Sequence, residues 1–137
     1  MNKFSIFLVL SHLFFFSCES IPPPPDFEAE PVSVSSEEMI EVEAHTAAFF
    51  IFSPPKEAIY TLSVYNMSTD FDLTLGIYCD TELFSDQIVI AVSKNLYLED
   101  ETIEISLSPD EKYLIEIWNT YEDTGSCRFN ITEKVAP

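Results

Sequence analysis

The stretch IYTLSVYNMSTDFDLTLGIYCD, residues 59–80, decides the fold. Tyr60, Leu62 and Val64 alternate with Thr61, Ser63 and Tyr65. After a polar turn, Phe71, Leu73, Leu75, Ile77 and Cys79 alternate with Asp72, Thr74, Gly76 and Tyr78. Successive side chains on a strand point to opposite faces, so each run carries one apolar face and one largely polar face. Such faces have to be buried against a second layer, and the stretch therefore predicts an all-β, antiparallel β-sandwich.

The same alternation extends in both directions. Strands are expected at 39–43, 47–52, 59–66, 71–79, 88–93, 102–107, 112–119 and 126–132, about eight in all. They are separated by turn chemistry such as Ser53-Pro54-Pro55, Asn66 to Asp70, Asn95 to Glu101 and Ser108-Pro109-Asp110-Glu111. No apolar i, i+3, i+4 pattern runs for three turns, which argues against helices. The runs 47–52 and 112–119 are apolar on both sides and are expected to be central or shielded strands.

The N-terminal part reads differently. Residues 1–17 have a positive start at Lys3 and an apolar run from Phe4 to Phe16, the form of an export signal. That run is too short to cross about 30 Å of hydrocarbon, which takes about 20 residues. Residues 18–38 are rich in proline and acid; Pro22 to Pro25 favour an extended rod, and at about 3.1 Å per residue this tether spans about 60 Å. Residues 39–137 form the expected sandwich domain. Phe15-Phe16-Ser17-Cys18 resembles a bacterial lipoprotein processing box, with Phe15 where Leu is usual. The resemblance implies lipid on Cys18, the Cys as new N-terminus, and a location in the bacterial cell envelope outside the cytoplasm, at the outer membrane or cell surface. The alternative is ordinary signal cleavage after Ser20, in which case Cys18 leaves with the peptide.

Charge narrows the partners. The 137 residues carry 24 acids against six basic residues, a net charge of −18. Nucleic acid is excluded, because phosphate binding needs clustered Lys and Arg. A bare electrostatic grip on anionic lipid is disfavoured for the same reason, leaving the lipid as the route to a membrane. With Cys18 assigned to the leader, Cys79 and Cys127 remain as a pair. Both share the inward parity of their strands, which predicts a disulfide formed outside the cytoplasm, the alternative being two buried free thiols that pack as small hydrophobes.

Candidate chemistry is sparse. Asp70 and Asp72, with Asp80, Glu82 and Asp86, crowd two loops and could offer oxygens to calcium, but no EF-hand pattern accompanies them. His45 is the only histidine after the leader, and no serine sits in a nucleophile elbow. One His and two paired cysteines do not supply a zinc site. These absences point away from catalysis and from a cofactor, with a small hydrolase built on His45 as a remote alternative. Trp118, Tyr121, Tyr65 and Tyr78, together with Tyr97, could form an exposed platform for a glycan or a protein; the competing reading is that they shield the outer face of a sheet.

With the strands laid out, the order from Phe49 to Thr132 resembles the pre-peptidase C-terminal domain, a jelly-roll sandwich found on secreted bacterial enzymes. The pieces are Phe49-Phe50-Ile51-Phe52, Tyr60-Thr61-Leu62-Ser63-Val64, the entry Asp70-Phe71-Asp72-Leu73-Thr74-Leu75, Lys112 to Ile117, and the closing Gly125-Ser126-Cys127-Arg128-Phe129. The chain departs from the family at Pro109-Asp110-Glu111-Lys112-Tyr113, where Ala-Gly-x-Tyr is usual, and at Cys127, where an aromatic is usual. The resemblance implies a non-catalytic binding or envelope-structural module, with an adhesin using the exposed aromatics as the alternative.

Overall fold

The computed structural model describes residues 29–78 and 88–135. Nine strands are present among them: β1 (Glu30–Val32), β2 (Glu37–Val42), β3 (Ala47–Phe52), β4 (Ala58–Tyr65), β5 (Phe71–Ile77), β6 (Ile88–Ser93), β7 (Glu101–Leu107), β8 (Tyr113–Asn119) and β9 (Gly125–Glu133). They form a five-stranded sheet in the order β1-β3-β8-β5-β6 and a four-stranded sheet in the order β2-β9-β4-β7. All pairings are antiparallel except β1 with β3. The fold is the expected β-sandwich, with one strand more than the alternation predicted. The extra strand is Glu30-Pro31-Val32, too short and too proline-interrupted to register as a strand. It falls within the 18–38 stretch read as a tether, so the sheet reaches back at least to Glu30.

The two runs of the opening stretch become β4 and β5, yet they do not pair with each other. β4 lies between β9 and β7, while β5 lies between β8 and β6. The polar turn at 66–70 carries the chain from one sheet to the other, with Asn66 in the left-handed region at φ 51°. Packed sheets sit about 10 Å apart, a distance five residues cover easily. Tyr60, Leu62 and Val64 thus face Phe71, Leu73 and Leu75 across the core, and all six are fully buried. Burying each such side chain is worth about 1.5–3 kcal/mol. Phe50 on one sheet stacks on Phe129 of the other with ring centroids 5.3 Å apart, and Phe52 meets Tyr60 edge-on at 5.2 Å.

The doubly apolar strands take the expected places. β8 is the centre of the five-stranded sheet, and β3 is flanked by β8 and the short β1. On the outer face of β8, Leu114 is buried between Ile51 and Gly76 of its neighbours, while Glu116 sits half-buried between Phe49 and Thr74. Burial raises the Glu116 carboxyl above the usual range, with Lys94 pulling the other way. The turn that departs from the family pattern is tied by Tyr113, whose hydroxyl accepts from the Ser108 amide at 3.0 Å.

Candidate functional site

Four connections gather at one end of the sandwich: 43–46, 66–70, 94–100 and 120–124. The first, second and fourth of these are joined through Asn119, the last residue of β8, whose side chain has no solvent exposure. Its Nδ2 donates to the backbone oxygens of Val42 at 3.0 Å, Glu43 at 3.3 Å and Asp123 at 2.8 Å. Its Oδ1 accepts from the Thr69 hydroxyl at 3.3 Å and the Tyr121 amide at 3.0 Å. A buried amide has to find partners. Here they come from three different loops. Thr120 adds a second tie by donating its hydroxyl to Asp70 Oδ2 at 3.0 Å. Gly125 permits the close approach: a Cβ there would lie 1.9 Å from Thr69 Oγ1.

The remaining connection, 94–100, is closed from within. Glu101, almost wholly buried, accepts from the Asn95 amide at 2.6 Å, and Asn95 Nδ2 donates to the Asp100 oxygen at 2.6 Å. The Glu99 amide reaches the Leu96 oxygen at 2.9 Å. The result is a tight loop that points Leu96, Tyr97 and Leu98 outward, exposed by 76%, 55% and 45%. Leu98 holds φ at 61°, a region where a bulky side chain is an outlier. Tyr121, from the neighbouring loop, packs on Tyr97 with centroids 5.8 Å apart and planes tilted by 44°.

The residues singled out from the sequence are divided by this geometry. Tyr97 and Tyr121 come together. Trp118 is partly exposed on the outer face of the five-stranded sheet beside Asn119, and Tyr65 is half-buried on the outer face of the other sheet, across from Arg128. Tyr78 is at the opposite end of the molecule, its amide bonded to the Lys112 oxygen at 2.8 Å. The five aromatics therefore do not make one platform. Asp72 pairs with Lys94 at 3.4 Å and Asp70 with Thr120, and among the described residues no three His, Cys, Asp or Glu side chains gather as a metal site. His45 occupies the tight β2–β3 turn at φ 53°.

Cys127 is a buried free thiol, and burial pushes its pKa up to about 12. Cys79 and Cys18 lie outside the described residues. No disulfide is seen among the described residues, and the expected Cys79–Cys127 pairing falls partly outside them. Asn119, Glu101, Leu96 and Leu98 are functional candidates that sequence reading missed. Asn119 and Glu101 stand at the edges of strands where polarity looks unremarkable. The apolar triplet at 96–98 was legible as three large side chains inside a turn with no face to bury.

The class these features define is a jelly-roll-like sandwich with a set of fixed loops at one end. No family model and no curated protein matches the sequence. Among solved structures, the fold is similar to the pre-peptidase C-terminal domain of a collagenase from Bacillus anthracis, with a TM-score of 0.64 and 12% identity over 80% of this chain and 99% of that one. It is also similar to PliG, a periplasmic inhibitor of g-type lysozyme from Aeromonas hydrophila, with a TM-score of 0.50 and 13% identity over 76% of this chain and 96% of that one. The likeness is one of fold, and it agrees with the resemblance read from the strand order.

Proposed function

We propose that this chain is a non-catalytic binding module of the bacterial cell envelope, held outside the cytoplasm by lipid on Cys18, and that its loop end engages a protein partner. The observation that carries the reading is the exposed Leu96-Tyr97-Leu98 and Tyr121 group on loops fixed from inside by Asn119 and Glu101. Rigid aromatic anchors on a scaffold are what protein recognition uses most. Support for a protein partner and an extracytoplasmic setting comes from the two similar folds, one a domain of a collagenase and the other a periplasmic lysozyme inhibitor. A glycan platform fits less well, because Tyr97 and Tyr121 are tilted to each other and Trp118 lies on a different surface.

Two measurements test it. Palmitate fed to the producing bacterium should label the chain, and Cys18→Ser should abolish both the label and membrane retention; an unlabelled chain cut after Ser20 refutes the anchor. Envelope proteins crosslinked to the wild-type chain should be lost with Tyr97→Ser plus Tyr121→Ser at unchanged thermal stability. Retention of the same crosslinks in that variant refutes the loop end as the binding surface.

A further inference from the structure

We infer that the 94–100 loop is a preformed apolar anchor for a basic polypeptide segment, with the acids around it acting as an electrostatic rim. This rests on the reading of the loop end as a protein-binding surface and adds the chemistry of what it binds.

Three observations converge. The first is the apolar triplet itself. A strongly acidic chain places Leu96, Tyr97 and Leu98 side by side in solvent, where a plain connection would use polar residues or glycine. The second is the internal bracing. Glu101 and Asn95 hold the loop through bonds beneath it, so the three side chains are presented without packing into the core. Leu98 keeps a left-handed backbone that glycine or asparagine would adopt more readily, and strain of that kind marks a place retained for contact rather than for stability.

The third observation is charge. Glu99 and Asp100 follow the triplet directly, Glu122 and Asp123 follow Tyr121, and Glu43 lies on the adjoining loop held by Asn119. The one basic residue of 94–100 and 120–124 is Lys94, at the loop's first position and paired with Asp72, so the acids that follow the aromatics outnumber it. An apolar centre with a charged rim is the usual anatomy of an interface, and this rim is complementary to Lys and Arg. It also opposes an anionic bilayer.

The test uses the purified full-length chain as bait for a displayed library of random twelve-residue peptides at low salt. Recovered peptides are expected to combine Lys or Arg with an aromatic or large aliphatic residue. Their binding should fall at least tenfold with Leu96→Ser or Tyr97→Ser, and again in 0.5 M NaCl. Leu98→Gly separates anchor from scaffold: it relieves the backbone, so the melting temperature should hold or rise while capture drops. No enrichment overturns the inference, as do peptides that are neutral or acidic. Loop-dependent adsorption to vesicles of anionic phospholipid would assign the triplet to a membrane and overturn it too. Basic peptides indifferent to the loop variants and to Tyr121→Ser would sink the binding surface itself; loop-dependent peptides without positive charge would overturn this inference while leaving the loop end as a protein-binding surface.

Discussion

Cys127 and Glu116 illustrate how a single side chain registers which side of a sheet it is on. Cys127 faces the core, where desolvation holds its thiol protonated and out of reach. Iodoacetamide at pH 8 should leave it unmodified in the native chain and alkylate it after denaturation without reductant. A sulfur still blocked after denaturation would mean that it is crosslinked. Glu116 faces outward but is wedged between Phe49 and Thr74, and its carboxyl titrates above the ordinary range because it is partly desolvated. A folded-state pKa above the unfolded one means that the folded chain holds its proton more tightly. Stability is therefore lost as pH rises from the ordinary carboxylate value through the raised one. Glu116→Gln should raise the melting temperature at pH 7, and the gain should vanish by about pH 3, where both states are protonated. An equal gain at both pH values would point to packing instead.

Among the elements, alternation was legible and partnership was not. Parity of apolar residues placed eight of the strands within two residues and put Tyr60, Leu62, Val64, Phe71, Leu73 and Leu75 in the core, because burial on one face is a local property of the sequence. Nothing local says that β4 and β5 belong to different sheets, or that β1 joins β3 in parallel. The loop end was harder still. The acids and turn residues announced connections but not the hydrogen bonds that fix them, since Asn119 gathers partners from positions up to 77 residues away. Those bonds make Asn119 the joint between connections. Asn119→Ala would remove the side-chain partner of the Val42 and Asp123 oxygens, the Thr69 hydroxyl and the Tyr121 amide, at up to about 1 kcal/mol each where no water can substitute, while the Glu43 oxygen keeps its bonds from Thr46. A loss of about 3 kcal/mol is expected in urea unfolding. A loss under 1 kcal/mol would mean that the loops hold together without it.

For the molecule as a whole, charge is the dominant long-range force. Four of the basic residues form exposed ion pairs, Lys56–Glu133, Lys94–Asp72, Arg128–Glu37 and Lys134–Glu104. Exposed pairs contribute about 0–1 kcal/mol each, while the large excess of acids repels itself across the whole surface. Repulsion wins. Raising NaCl from 20 mM to 0.5 M should increase the melting temperature by a few degrees, whereas a decrease would show that the ion pairs matter more.

Among the described residues, consecutive strands are hydrogen-bonded neighbours only at β5–β6; the other pairings join strands well separated in sequence. The last of the described strands, Gly125–Glu133, lies inside the four-stranded sheet between β2 and β4. That sheet cannot close while those residues are still within the ribosome, so a growing chain has no complete core to collapse onto. Such a polypeptide stays threadable until synthesis has passed Glu133, the condition that transport through a narrow translocation channel demands. Refolding of the full chain should accordingly take milliseconds to seconds rather than microseconds.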